Sequence, residues 1–295
     1  MTHMKEKYIN FFTDYGFKRL FGSEPTKDCL IDFLNGLLED REKPIVELEY
    51  RNTEHLGALE LDRKAIFDLY CTTSDGSHII VELQKAKQQF FKDRALFYST
   101  FPIQEQAQKG EWNFKLSNIY TIAILDFIFD DDSETPDKYL YDVKLTEQET
   151  HQVFYDKLSF IYLEMPRFKK TSTELKTQQD KWLYAIKHLN ALNTIPDELK
   201  QDIFENFFKA AEVAKLTPKE KENYEKSLKY YRDLNNVIDT AFDEGKEEGR
   251  KEEEEKRKDA EAKRKDAEGK LQQALKNIIE KGIPEEEARK LLGLD

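Results

Sequence analysis

The sequence predicts an α/β fold that is followed by helices and a charged helical tail. Alternating apolar runs between residues 45 and 163 are typical of strands, and stripes with helical spacing lie on either side of them. Residues 243–270 contain 12 acidic and 10 basic residues, so this stretch cannot form a packed core by itself. The 295 residues suffice for one large domain with appendages.

The first elements are expected in the order helix, three strands. Apolar residues at helical spacing predict a helix within 26–38, and alternation predicts a strand over 45–50. Two β-rich runs, 65–72 and 78–84, are joined by a segment that contains Asp75-Gly76, which is a strong hairpin signal. We therefore expect antiparallel pairing of these two runs.

A helix, two further strands and several helices complete the pattern. Residues 88–108 suit a helix that Pro102 should end or kink. Isoleucine-rich residues 116–127 predict a buried strand, and 153–163 predict another. Beyond Pro166 the apolar spacing is helical, and helices are predicted at 175–192, at 198–215 and from about Pro218 onward.

The charged tail contains a seven-residue repeat, because 256–262 (KRKDAEA) is followed directly by 263–269 (KRKDAEG). Several residues fall at coiled-coil spacing, with Arg264 interrupting the seam: Ala260, Ala267, Leu271, Ala274 and Ile278. A solvated single helix and a weak coiled coil explain this pattern equally well. The expected division of the chain is a core at 1–165, a helical extension at 166–242 and the tail at 243–295.

Composition limits the class of protein. No stretch approaches the roughly 20 apolar residues of a membrane helix, and only Cys29 and Cys71 occur, without metal or disulfide spacing. These features predict a soluble cytoplasmic protein. The net charge of −12 is unusual for a protein that binds nucleic acid. Segment 83–115, with six basic and three acidic residues, is a candidate phosphate-facing surface or a solvated helix face.

The hairpin contains the residues most suggestive of chemistry. Asp68 lies among apolar neighbours on the first run, and Glu82 and Gln84 share one face of the second. The turn at Asp75-Gly76 brings Asp68 nearly opposite Glu82, and two carboxylates in an apolar sheet repel each other unless a cation compensates. Hard oxygen ligands suit Mg²⁺ or Mn²⁺. The alternative is that both carboxylates simply face water on an amphipathic hairpin.

Three stretches in series resemble the PD-(D/E)XK nuclease superfamily, and within it the Rpn group of recombination-promoting nucleases, which are often labelled transposases. The first joins 13–22 (TDYGFKRLFG) to 30–38 (LIDFLNGLL), and the second runs from 61–68 (LDRKAIFD) to 81–84 (VELQ). The third joins 94–98 (RALFY) to the strand at 119–126. The resemblance covers about residues 8–240.

This resemblance implies a fold, a site and an activity. The fold would be a restriction-endonuclease-like core of helix, three antiparallel strands, helix and strand. Asp68 and Glu82 would bind Mg²⁺, or Mn²⁺, with the carbonyl of Leu83 as a further ligand. The activity would be metal-dependent hydrolysis of DNA phosphodiester bonds, serving recombination or defence against phage.

One position departs from the superfamily pattern. Gln84 stands where the superfamily has a catalytic Lys, although Gln is common there in this group. Lys64 is a candidate substitute for the missing charge, and Arg94 and Tyr98 on the following helix could face the scissile phosphate. The exchange also favours an alternative class, in which a catalytically inactive member binds or assembles through its tail. For the active class, a double-strand break favours a homodimer, and the tail could join the two copies.

Overall fold

The computed structural model describes residues 6–39, 43–52, 54–55, 65–107, 113–129 and 135–294. The chain divides into two compact units between Asn235 and Asn236. Lys64 therefore lies outside the described residues.

The first unit is α/β, as the sequence predicts. Its helices are α1 (Asp14–Phe21), α2 (Lys27–Leu37), α3 (Phe91–Glu105), α4 (Gln178–His188), α5 (Asp202–Ala211) and the start of α6 (Pro218–Glu280). Its strands are β1 (Leu48–Tyr50), β2 (Glu54–His55), β3 (Ala65–Ile66), β4 (Leu69–Thr73), β5 (His78–Gln84), β6 (Ile119–Leu125), β7 (Leu140–Thr146) and β8 (Val153–Glu164).

A mixed six-stranded sheet forms the centre of this unit, with strand order β1-β4-β5-β6-β8-β7. β1, β4 and β5 are antiparallel neighbours, whereas β5, β6 and β8 run parallel, and β7 returns antiparallel to β8. β2 and β3 form a separate two-stranded sheet. The carboxyl ends of β5, β6 and β8 consequently lie along one edge.

The helices cover the two faces of the sheet unequally. One face packs on α1, α2, α4 and α5, with an aromatic cluster at the centre: Phe21, Phe33, Trp182, Phe204 and Phe207. The other face packs on α3 through Phe91 and Ala95. The half-buried carboxylate of Asp32 accepts hydrogen bonds from Trp182 Nε1 and Gln178 Nε2, both at 2.6 Å, and so ties α2 to α4.

Three details differ from the sequence-based expectations. The first β-rich run is not one strand, because Phe67 and Asp68 separate β3 from β4. α3 continues past Pro102 to Glu105 instead of ending there. Proline has no backbone N–H, but Pro102 lies in the last turn of the helix, so only one hydrogen bond near its end is lost. β7 was not predicted; it is an edge strand with exposed polar residues and no buried alternation.

The second unit contains the rest of α6 and α7 (Glu285–Leu291). Consecutive Lys/Arg–Glu/Asp pairs four residues apart line α6, among them Lys258–Glu254 at 2.8 Å and Lys265–Glu261 at 2.9 Å. The predicted turn separates α6 from α7 at 281–284. Neither the three-part division of the chain nor a coiled coil is tested by these features, and both stay predictions.

Candidate active site

Asp68 and Glu82 lie side by side at the end of the β4–β5 hairpin. Leu69 pairs with Val81 in the antiparallel register, so Asp68, one residue before β4, stands beside Glu82. The backbone N–H of Asp68 donates to Glu82 Oε1 at 3.2 Å, and the N–H of Leu83 donates to Asp68 Oδ2 at 2.8 Å. These two hydrogen bonds take the place of the backbone-to-backbone bonds between strands at the point where the first β-rich run, 65–72, is interrupted.

Burial makes this pair electrostatically unfavourable. Only 8% of Glu82 is exposed, and burial together with the charge of Asp68 raises the pKa of the Glu82 carboxyl. Burial also raises the pKa of Asp68, while the Leu83 N–H and the cations Lys18 and Lys85 oppose that rise. Two adjacent buried carboxylates favour either a shared proton or a bound cation.

Gln84, on the same face of β5 as Glu82, is held by a cation. Arg94 Nη2 of α3 donates to Gln84 Oε1 at 2.6 Å, and Gln84 Nε2 donates to the carbonyl of Ala86 at 2.9 Å. Arg94 also donates to Gln88 and lowers the pKa of Glu82. The neutral amide is therefore fixed in orientation, with the positive charge next to it.

Lys85 supplies a second cation. In the sequence it stood out only as one member of the basic segment 83–115. Its ammonium is half-buried, and burial lowers its pKa while the nearby carboxylates of Asp14 and Asp68 oppose that change. Asp14 and Lys18, one helical turn apart on α1, form an ion pair with Nζ and Oδ1 3.1 Å apart. The signal in the sequence was the position of Lys85, directly after Gln84 at the carboxyl end of β5.

The remaining predicted residues fall in different places. The ring of Tyr98 packs edge-on against Phe67, with centroids 5.2 Å apart, and the guanidinium of Arg94 lies 5.7 Å from the centroid of the Tyr98 ring. Tyr98 thus supports the segment that leads into Asp68. Lys64 is outside the described residues, and its suggested role stays a prediction.

Asp126 extends the polar edge beyond β5. It follows β6, and its N–H donates to the carbonyl of Gln84 at 2.9 Å. Tyr231 of α6 donates its hydroxyl to Asp126 Oδ2 at 2.6 Å, and burial raises the pKa of this carboxyl to about 6. Nothing in the sequence indicated this contact, because Tyr231 is 105 residues away.

The donor set suits one hard divalent cation. Among the described residues, Asp68 Oδ1 and Glu82 Oε2 have no hydrogen-bond donor, so one oxygen of each carboxylate is free to coordinate. No group of three or more His, Cys, Asp or Glu side chains with metal-binding geometry occurs in the described part of the chain. Other ligands would have to be backbone oxygens, water or substrate. The Leu83 carbonyl stays a predicted ligand.

A cleft of about 260 Å³ lies near the opposite end of β5, where Thr73, Asp75 and Ser77 line it. Neither Asp68 nor Glu82 borders this cleft. Two of its three acidic side chains already accept hydrogen bonds: Asp75 from Ser77, and Asp32 from Gln178 and Trp182.

A mixed α/β sheet carries two adjacent carboxylates, Asp68 and Glu82, and a glutamine at the end of one hairpin. The model of the family described as PD-(D/E)XK nuclease family transposase matches residues 11–241, and the chain belongs to this family. Neither the curated proteins nor the solved structures include a match to the chain.

The family membership confirms the resemblance in the sequence and indicates a nuclease-type function. The matched region includes every predicted site residue and ends within α6. Among the helices of the described residues, none is both long and apolar enough to cross a membrane. Both cysteines are buried and free of disulfides.

Proposed function

We propose that the protein is a metal-dependent endonuclease that hydrolyses DNA phosphodiester bonds, in recombination or phage defence. The observation that supports this most is the pair of buried Glu82 and half-buried Asp68, with raised pKa values and, among the described residues, one unbonded oxygen on each carboxylate. Nucleases with the PD-(D/E)XK fold typically use divalent metal ions. We propose Mg²⁺ as the ion, with Mn²⁺ as a substitute, because both favour carboxylate oxygens.

Each residue has a distinct proposed role. A bound divalent ion activates water and stabilises charge on the transferring phosphate. Asp68 and Glu82 hold that ion, and Leu83 adds its carbonyl oxygen. Gln84 orients the attacking water through its amide, while Arg94 supplies the positive charge that the amide lacks.

Lys85 is the second source of positive charge, and Asp14 and Asp68 are the carboxylates that interact with it. Together with Arg94 it provides the charge for which the sequence had suggested Lys64. We further propose that the protein acts in the cytoplasm, and that two copies cooperate to cut both strands of a duplex.

Plasmid cleavage tests this function. Supercoiled DNA is incubated with wild type and with Asp68→Asn and Glu82→Gln, in Mg²⁺, Mn²⁺ or EDTA. We expect metal-dependent nicking by wild type and a loss of at least about 100-fold in each variant, because each removes an anionic metal ligand. The matched control is Glu49→Gln, an exposed carboxylate on β1 bonded only to Arg51 among the described residues.

A stability measurement separates lost chemistry from lost folding. The amide substitutions keep the acceptor oxygens used by Asp68 N–H and Leu83 N–H but remove the buried repulsion. Without metal, both variants should melt at or above the wild-type temperature. Adding Mg²⁺ should raise the melting temperature of wild type alone. If the wild-type protein left the plasmid intact in every metal, that result would contradict the nuclease assignment.

The alternative is an inactive binding or assembly module. The neutral Gln84, held by Arg94 and Ala86, is the observation that favours it. In that case Mg²⁺ would still raise the melting temperature, but no metal would support cleavage.

A further inference from the structure

The N-terminal half of α3 exposes an aromatic surface directly beside the candidate active site. Two phenylalanine rings are exposed, Phe90 to 68% and Phe97 to 46%, and Leu96 between them in sequence is exposed to 53%. Isolated exposed apolar side chains are common on soluble proteins. Three large ones within eight residues, next to buried carboxylates, form a patch that needs an explanation.

The backbone at Phe90 is held in an unfavourable conformation. Its φ of 62° and ψ of 29° lie in the left-handed region, which bulky residues rarely adopt. Phe90 accepts the first hydrogen bond of the helix from Arg94 N–H at 3.0 Å. Its neighbour Phe91 is buried against Phe127 and Tyr162. At this left-handed residue the chain thus has the ring of Phe91 in the core and the adjacent ring of Phe90 in solvent.

The exposed rings flank the cation that holds the site. Phe97 lies three residues after Arg94 on α3, which is the spacing of one helix face, and Phe90 lies one turn before Arg94, whose N–H its carbonyl accepts. Arg94 bonds Gln84, so the aromatic surface begins next to the predicted position of the scissile phosphate. Further along α3, Phe97 packs edge-on against Phe101 with centroids 5.3 Å apart.

The charge around these rings is opposite to that of the chain. Between residues 84 and 95, four basic residues (Lys85, Lys87, Lys92 and Arg94) accompany one acidic residue, Asp93, whereas the whole chain carries −12. Positive charge attracts phosphate, and exposed aromatic rings bind the faces of unpaired bases. In a closed duplex those faces are stacked on each other and are not available.

We propose that Phe90 and Phe97 form a stacking platform for unpaired bases, and that the preferred substrate is DNA with a single-stranded segment next to the cut. This inference rests on the proposed nuclease function and specifies its substrate. The two rings hold the extruded or unpaired strand, and Arg94 and Lys85 lie where that strand's phosphate enters the site.

Binding is tested by fluorescence anisotropy with a labelled oligothymidylate and with a duplex of the same length, in EDTA so that neither is cut. Wild type should bind the single strand more tightly than the duplex. Phe97→Ala and Phe90→Gly should each weaken single-strand binding about tenfold, without changing the dependence on salt, because a ring neutralises no phosphate.

Two comparisons exclude a merely structural effect. Phe90→Gly relieves the left-handed strain, so its melting temperature should be equal to or higher than that of wild type while its binding falls. Phe90→Tyr keeps the ring and should keep the affinity. The matched control is Phe154→Ala, which removes a ring exposed to 81% on β8 and should bind like wild type.

The outcomes separate this inference from the nuclease proposal. The platform alone would be overturned if wild type cuts plasmid but binds duplex DNA as tightly as single-stranded DNA. The same conclusion would follow if the ring variants bind single-stranded DNA as tightly as wild type. The opposite result is also informative. If wild type cuts no DNA in any metal but the ring variants bind single-stranded DNA more weakly than wild type, the platform is supported and the nuclease proposal is overturned.

Discussion

The neutral amide at Gln84 shows how one residue's role depends on its partners. A glutamine cannot supply charge, but Arg94 Nη2, 2.6 Å from its oxygen, brings a guanidinium to the same place. Residue types alone predicted that Asp68, Glu82 and Gln84 lie close together on the hairpin, since period-two alternation fixes the face on which each side chain lies. The resemblance already offered Arg94 on α3 as a phosphate contact, but its bond to Gln84 depends on tertiary packing, which residue types alone do not show.

Removing that cation should impair chemistry more than metal binding. We expect Arg94→Gln to lower plasmid cleavage about 100-fold, the usual effect of losing one charge-stabilising donor. The Mg²⁺-induced rise in melting temperature should persist, since Asp68 and Glu82 remain. Arg51→Gln, which removes an exposed cation bonded to Glu49, serves as the control. Equal cleavage by Arg94→Gln and wild type would leave Lys85 as the cation that acts.

Asp126 gives the fold a distinctive pH dependence. Burial raises its pKa from 3.8 to about 6, so the folded protein binds this proton more tightly than the unfolded chain does. The resulting stability is complete below about pH 4 and is lost as pH rises through 6.

Asp126→Asn keeps an acceptor for the Tyr231 hydroxyl but cannot ionise. Relative to this variant, wild type should lose about 1–3 kcal/mol of unfolding free energy between pH 4 and pH 7. Urea unfolding of both proteins across that range measures the difference. Parallel stability curves would show that Asp126 stays protonated or is solvated.

Among the elements, helices and buried strands were predictable, but interruptions and edges were not. The apolar stripe of α2 and the isoleucine-rich β6 carry their period in the sequence. The edge strand β7 has only a short alternation of Tyr141, Val143 and Leu145 between polar residues, and the latter two of these apolar side chains are exposed. The break before β4 was hidden because Phe67 and Asp68 have ordinary strand neighbours. It arises only when Leu83 N–H takes Asp68 as acceptor.

Glycines in two helices should respond oppositely to the same substitution. A Cβ added at Gly249 in α6 meets nothing within 4 Å, so Gly249→Ala should stabilise that helix by about 1 kcal/mol. A Cβ added at Gly16 in α1 would lie 2.1 Å from the carbonyl oxygen of Asn10, so Gly16→Ala should destabilise the fold. Thermal unfolding followed by circular dichroism distinguishes the two. A destabilised Gly249→Ala would indicate that a partner helix packs against that position.

At the scale of the whole molecule, the charged tail is the part whose role the fold leaves open. Its ion pairs, four residues apart, stabilise an isolated helix, and the seven-residue repeat also permits a weak coiled coil. If the tail joins two copies, sedimentation should give a dimer for the full chain and a monomer for a chain that ends at Phe242. An identical oligomeric state for both would exclude the tail as the dimer interface.

Residues in and just before α1 form hydrogen bonds with α6, a helix that is synthesised much later. Tyr15 N–H donates to Ser227 Oγ, and Asn10 N–H donates to the Tyr224 hydroxyl, across more than 200 residues in each case. Asp14 and Lys18, which influence the candidate site, therefore gain this anchorage only after α6 has been synthesised. A nascent or prematurely terminated chain carries both carboxylates but lacks the bonds that join its N-terminal residues to α6. For the nuclease proposed above, this late closure would protect the cell's own DNA from unfinished copies of the protein.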